Sequence, residues 1–249
     1  MNKNVSIGLS VLILIILYAP VASSNEPYLV SDINPGGGGS SPMDTVSMGG
    51  FVYFSANDFG DFGRELWKSD GTNEGTVSVK DIFPGSSSNP DSLTPIGNKL
   101  FFVARDETSN EELWISDGTE SGTFMVKDIN PFGSSNIEYL TDVNGTLFFA
   151  ADDGVHGKEL WKSDGTEAGT IMVSDINTEF FDAGSFPEEL TNVNGVLFFS
   201  AANNDAVGTE LWKSDGTDAG TVLVKDLNTS YQHSGDPHSL ISANGLLYF

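Results

Sequence analysis

The sequence contains no cysteine. That excludes a disulfide framework, a thiolate metal site, a cysteine nucleophile and a lipid-attachment cysteine. Basic residues are scarce: 11 Lys and Arg stand against 35 Asp and Glu, a formal net charge of −24. A phosphate backbone needs a basic footprint, so nucleic acid is excluded as a partner. An anionic membrane surface is disfavoured on the same ground. The only histidines are His156, His233 and His238. They lie in polar loops and read as solvated side chains, not as metal or catalytic groups. No phosphate loop, zinc motif, nucleophile elbow or dinucleotide fingerprint is present.

Glycine and aromatic residues are plentiful, with 28 Gly and 17 Phe among 249 residues. Apolar residues recur in regular clusters, which fits short strands joined by tight turns and does not fit disorder. Residues 1–24 have the parts of a secretory leader. Lys3 supplies the positive start, residues 5–18 are apolar, and Ala22, Ser23 and Ser24 offer small residues for cleavage near Ser24 and Asn25. The competing reading is an uncleaved membrane anchor. Ser6, Gly8, Ser10 and Pro20 dilute that stretch, and no basic stop follows it.

The rest is repetitive. Residues 65–72, 159–166 and 210–217 read Glu-Leu-Trp-Lys-Ser-Asp-Gly-Thr, and residues 112–119 differ only by Ile115 in the Lys position. The period is about 47 residues, lengthening before the last copy across a linker at 177–187. Each unit shows four strand signals. A weak strand leads into a Gly- and Asn-containing turn, as at Asn144-Gly145 and Asn194-Gly195. An aromatic run follows, then Glu-Leu-Trp, then a Val-x-Val-Lys-Asp-Ile run, such as 76–82. The second strand is apolar at consecutive positions, the mark of a strand buried on both faces.

The expected fold is all-β: a β-propeller-like array of four-stranded antiparallel blades. A β-solenoid is the alternative, but its coils are usually shorter. The complete units span about 43–82, 91–129, 138–176 and 188–227, within a domain of 25–249. Partial units flank them: an orphan fourth strand at 28–33 and an orphan first and second strand at 239–249. Between them they lack a Glu-Leu-Trp strand. The expectation is an incomplete or five-bladed ring drawn from a longer array.

The repeated string resembles the ELWxxDGT repeat family of bacterial exported proteins, over four complete units. The resemblance implies a propeller-like repeat architecture in secreted or cell-surface proteins, and implies no established activity. Asp boxes of sialidases also place Ser, Asp and Gly in propeller turns, but with different spacing. A sialidase further needs three arginines, and only Arg64 and Arg105 are present.

Asp70 and Gly71, Asp117 and Gly118, Asp164 and Gly165, and Asp215 and Gly216 are expected to be structural turn residues. An Asp carboxylate caps a turn, and Gly takes the positive φ. The loops between second and third strands carry Asp58, Asp61, Asp106, Asp152, Asp153 and Asp205. These could hold Ca²⁺ or simply form turns; no other cofactor is expected. No catalytic residue stands out. Uniform units bearing variable loops suggest a non-catalytic extracellular scaffold or binding module for an unknown protein or glycan. The alternative is an exported polysaccharide-acting enzyme on a propeller frame.

Overall fold

The computed structural model describes residues 27–249, except 37, 59, 61–62, 109, 179–182, 204–207 and 229–233. The leader-like segment 1–24 therefore lies outside the described residues, as do Asp61, Asp205 and His233.

The described residues are all-β, without helices. The first unit comprises β1 (Met43–Met48), β2 (Phe51–Asn57), β3 (Arg64–Ser69) and β4 (Val77–Lys80). The second comprises β5 (Asp91–Ile96), β6 (Lys99–Arg105), β7 (Glu111–Ser116) and β8 (Phe124–Lys127). The third comprises β9 (Glu138–Val143), β10 (Thr146–Asp152), β11 (Lys158–Ser163) and β12 (Ile171–Ser174). The fourth comprises β13 (Glu188–Val193), β14 (Val196–Ala202), β15 (Thr209–Ser214) and β16 (Val222–Lys225). Each forms its own four-stranded antiparallel sheet, paired in chain order. A two-stranded hairpin follows, β17 (Ile241–Ala243) with β18 (Leu246–Tyr248).

Turn chemistry explains the hairpins. Asn144 and Gly145 have φ of 54° and 87°, and Asn194 and Gly195 have 53° and 85°. Two consecutive left-handed residues give the turn whose twist matches antiparallel strands. Asn144 Nδ2 donates to the Gly195 carbonyl at 3.4 Å, and Asn194 Nδ2 to the Gly245 carbonyl at 3.3 Å. The hairpins are thereby stitched side by side.

The core lies between blades rather than within them. Leu66, Val79 and Ile82 of the first blade pack with Leu100, Phe102 and Trp114 of the second. Leu113, Val126 and Ile129 meet Leu147, Phe149 and Trp161 of the third. Leu160 and Val173 meet Leu197 and Phe199 of the fourth. Blades stacked face to face bury both faces of their middle strands, which is why β6 and β10 are buried at five consecutive positions. First strands of successive units abut one another, β1 on β5, β5 on β9, β9 on β13 and β13 on β17. They form the inner edge of the array.

Two strand expectations need correction. The fourth strand of the first unit ends at Lys80, not Ile82, because the Ile82 N–H turns away to the Glu65 carboxylate. Residues 28–33 form no ladder. Among the described residues no third strand lies beside them to pair with.

Candidate functional site

The strongest electrostatic perturbation sits in the blade walls. The Glu of each Glu-Leu-Trp is buried: Glu65, Glu159 and Glu210 are 0% exposed and Glu112 is 2%. Each grips the linker that leads to the next unit. Glu65 Oε2 accepts from Ile82 N–H at 3.1 Å and from Ser88 Oγ at 2.5 Å, and its Oε1 accepts from Ser88 N–H at 2.8 Å. Glu112 repeats the pattern with Ile129 N–H and Ser135 Oγ. Glu159 takes Ile176 N–H, Ser185 N–H and Ser185 Oγ. In the fourth unit Gly235 replaces the Ser, and Glu210 accepts from Leu227 N–H at 2.8 Å and Gly235 N–H at 2.7 Å. Burial pushes the carboxyls of Glu65, Glu112 and Glu159 up to about 7, against the pull of those donors. Perturbed carboxyls are ordinarily candidates for acid–base chemistry. These are sealed, and backbone and Ser donors hold every oxygen but Glu112 Oε1, so they are fasteners. Sequence reading missed them; the signal was a Glu present in every copy with a Ser recurring in the following linker.

The Ser-Asp-Gly-Thr segments form the turns between third and fourth strands. Asp117 Oδ1 accepts from Thr119 N–H at 2.9 Å and Thr119 Oγ1 at 2.7 Å. Ser116 Oγ meets Thr123 Oγ1 at 2.7 Å, and Gly118 has φ of 87°. Asp70, Asp164 and Asp215 cap the same way, with Gly71, Gly165 and Gly216 at φ of 89°, 88° and 88°. The Thr hydrogen bonds hold the four Asp carboxyls below their ordinary range. The Lys after Trp ties one blade to the next: Lys68 Nζ donates to Gly118 O at 2.8 Å and Lys162 Nζ to Gly216 O at 2.7 Å. Where Ile115 replaces it, Lys99 Nζ reaches Asp164 O at 3.2 Å instead.

The described loop aspartates cap their own loops. Asp58 Oδ1 accepts from Gly60 and Gly63, Asp106 Oδ1 from Thr108, and Asp152 Oδ1 from Gly154. Asp153 accepts from Val155 and His156 N–H and pairs with His156 Nδ1 at 2.7 Å, which raises the His156 pKa. Among the described residues no three His, Asp or Glu groups converge as a metal site.

The exposed chemistry lies at the inner edge. Each first strand carries a bulge near its start, at the register shift between Met43 and Val46 and its equivalents. The residue at that bulge is left-handed in all four units: Asp44, Ser92, Tyr139 and Glu189 have φ of 51°, 57°, 58° and 59°, and Ser239, two residues before β17, has the same conformation at 58°. Bulges re-aim side chains, and non-Gly residues at positive φ mark imposed strain. A shallow, open depression runs across these strands, lined by Asp44, Ser92, Leu93, Thr94, Tyr139 and Leu140. Asp44 is hydrogen-bonded to Asp91, and burial together with the Asp91 charge raises its pKa. Burial and then Glu188, Glu138 and Glu189 raise the Tyr139 hydroxyl. Lys158 Nζ partly offsets this acidity through Glu138 at 2.9 Å. The mouth of the inner edge is thus anionic, with one exposed aromatic ring.

The described chain is an all-β protein of blade-like four-stranded antiparallel sheets, a propeller-type architecture. No family model matches it, and no curated relative matches it. Among solved structures it is similar to a puromycin hydrolase, 15% identical with a TM-score of 0.41, over 80% of this chain and 40% of that one. It is similar to an exo-beta-1,3-galactanase from Clostridium thermocellum, 11% identical with a TM-score of 0.36, over 76% of this chain and 48% of that one. An alpha-L-arabinofuranosidase from Clostridium thermocellum is 14% identical with a TM-score of 0.30, over 81% and 78%. The chain spans less than half the length of the first two.

Proposed function

We propose that this chain is an exported, non-catalytic repeat scaffold of the ELWxxDGT kind, and that it presents a binding surface at the mouth of its inner edge. One observation carries the reading. Five equivalent positions share one strained left-handed conformation, yet hold Asp44, Ser92, Tyr139, Glu189 and Ser239. The walls behave oppositely, with the same Glu and the same Asp-Gly turn in each blade. Uniform walls bearing a variable rim are the arrangement of a recognition frame.

The acidic mouth and Tyr139 favour an extracellular protein with a cationic segment, or a glycan whose hydroxyls bond carboxylates and stack on the ring. Among the wall carboxyls, those with raised pKa are closed to a substrate. The leader-like residues 1–24 support export.

The test is a screen of the full chain against arrayed glycans and extracellular proteins, beside a variant combining Asp44→Asn, Tyr139→Ala and Glu189→Gln. The expected result is a ligand held by the parent and lost by the variant. Equal binding by both would refute the mouth. Release of reducing sugar ends from any arrayed glycan would refute the non-catalytic reading. Fractionation of producing cells is expected to find the chain outside the cytoplasm, shortened near Ser24; an unshortened cytoplasmic product would refute export.

A further inference from the structure

The turn between first and second strands reads Asn-Gly at Asn144-Gly145, Asn194-Gly195 and Asn244-Gly245. All three Asn are exposed and left-handed, with φ of 54°, 53° and 53°. Asn before Gly has a chemistry of its own, because Gly has no Cβ to obstruct an approach of its backbone nitrogen to the Asn side chain. That nitrogen gives its proton to hydroxide and attacks Asn Cγ. The Cγ–Nδ2 bond breaks, and ammonia leaves after taking a proton from water. The cyclic imide left behind is opened by water at either carbonyl, giving Asp or its isomer with the chain rerouted through the side chain. The balance is amide plus water to acid plus ammonia.

The turns are not equally open to this reaction. Gly145 N–H donates to Asp142 Oδ1 at 2.8 Å, and Gly195 N–H donates to Asn192 Oδ1 at 2.8 Å. Each bond holds the attacking nitrogen by the proton it must lose. The bond has to break before attack, so its strength adds to the barrier. An ionised carboxylate holds an N–H more firmly than a neutral amide does, which favours Asp142 as the stronger guard. The third turn has Ser242 in the same place, and among the described residues no side chain accepts from Gly245 N–H. The difference lies in the residue two places before the Asn. The Asn amides also matter to the seams, since Asn144 Nδ2 donates to Gly195 O and Asn194 Nδ2 to Gly245 O. A carboxylate in the same place cannot donate and sets its charge against the carbonyl.

We propose that Asn144, Asn194 and Asn244 are sites of spontaneous deamidation, guarded at the first two by the Asp142 and Asn192 side chains and unguarded at the third. Conversion at Asn144 or Asn194 unpicks the stitch between neighbouring hairpins. The sites lie at the end of the first strands away from the bulge, so they are separate from the mouth and do not rest on the proposal made for it.

The experiment ages the full chain in mildly alkaline buffer and follows each Asn by peptide mass spectrometry, with the Asp and rerouted isomers separated by chromatography. Loss is expected to be fastest at Asn244, slower at Asn194 and slowest at Asn144. Asn192→Ala removes the guard and is expected to speed loss at Asn194 roughly three- to tenfold. It also removes the bond from Asn192 Nδ2 to Asp142 O at 2.8 Å. Asn192→Asp loses that same bond but keeps an acceptor for Gly195 N–H, so loss at Asn194 is expected to be no faster than in the parent. Ser242→Asp supplies the missing guard and is expected to slow loss at Asn244 by roughly tenfold; it carries the test if Asn192→Ala does not fold. In guanidinium chloride the guards are gone, and parent and variants are expected to convert alike. The proposal is overturned if Asn192→Ala leaves Asn194 at the parent rate, or if Ser242→Asp leaves Asn244 unchanged. Equal acceleration by Asn192→Ala and Asn192→Asp would trace the effect to the lost seam bond and overturn the guard. A difference that persists in guanidinium chloride, or no conversion at any of the three sites, would overturn it as well.

Discussion

Raising the pH through the neutral range is expected to loosen this fold, and the cause is the set of buried Glu fasteners. Burial holds the carboxyls of Glu65, Glu112 and Glu159 up at about 7, from an ordinary 4.5. In the unfolded chain they release their protons at the ordinary value. Between the two values the folded form binds more protons than the unfolded form, so unfolding free energy falls as pH rises. Below about 4.5 both forms are protonated and the carboxyls contribute no pH dependence; above about 7 both are ionised and the loss is complete. Each carboxyl then costs about 3 kcal/mol, the pull of the Ser and backbone donors on the anion being already part of that value. The assay is urea unfolding of the full chain between about pH 5 and pH 8 at fixed ionic strength. The midpoint is expected to fall with an unchanged slope in urea. Glu159→Gln removes one titrating group, so the variant is expected to lose part of the pH dependence and to gain on the parent at the alkaline end. His156 contributes in the same direction, because its raised pKa stabilises the fold at low pH and that gain vanishes as pH rises through the folded value. A His156→Gln background separates the two. Stability that is flat or rising between about pH 5 and pH 7, or a Gln variant that keeps the full dependence, would refute the reasoning.

Three other outcomes are expected. A Cβ placed on Gly122 would lie 2.1 Å from Asp117 Oδ1, so Gly122→Ala forces the cap off Thr119 and costs about 1–2 kcal/mol in chemical denaturation; in an Asp117→Ala background the same change is expected to cost little. Lys162→Met removes the bond from Nζ to Gly216 O and is expected to cost about 1–2 kcal/mol; Lys213 occupies the same motif position but is exposed, and Lys213→Met is expected to stay within about 0.5 kcal/mol. The caps at Asp58, Asp106, Asp152 and Asp153 need no cation to hold their loops, so a chelator is expected to leave the melting temperature unchanged; a clear drop would mean that a cation binds there.

Period, strand number and hairpin type could be read from residues because they are local. Asn144-Gly145 dictates its turn whatever surrounds it, and a strand such as β6, apolar at successive positions, declares that both faces are covered. The fasteners are not local. Glu65 looks like a surface residue until the chain returns at Ile82 and Ser88 to wrap it. Ile115 stands where the other copies have Lys, and only the structure shows that the tie is taken over by Lys99. The mouth was hidden for another reason. Asp44, Ser92, Tyr139, Glu189 and Ser239 share no side-chain chemistry, so only their common backbone conformation reveals that they are equivalent.

Each fastener is a hook whose eye belongs to the stretch after its own blade. Glu112 holds Ile129 and Ser135, not the joint behind it. The array therefore has a direction, and damage to one hook is expected to open the forward seam while the backward seam stays closed. A unit copied whole would bring its hook with it and meet an eye of the same pattern. Fourth-unit Glu210 illustrates the tolerance, since it closes on Gly235 where the others find Ser. Growth or loss of whole units then needs no matching change elsewhere, which leaves the number of blades free to drift while each seam stays the same.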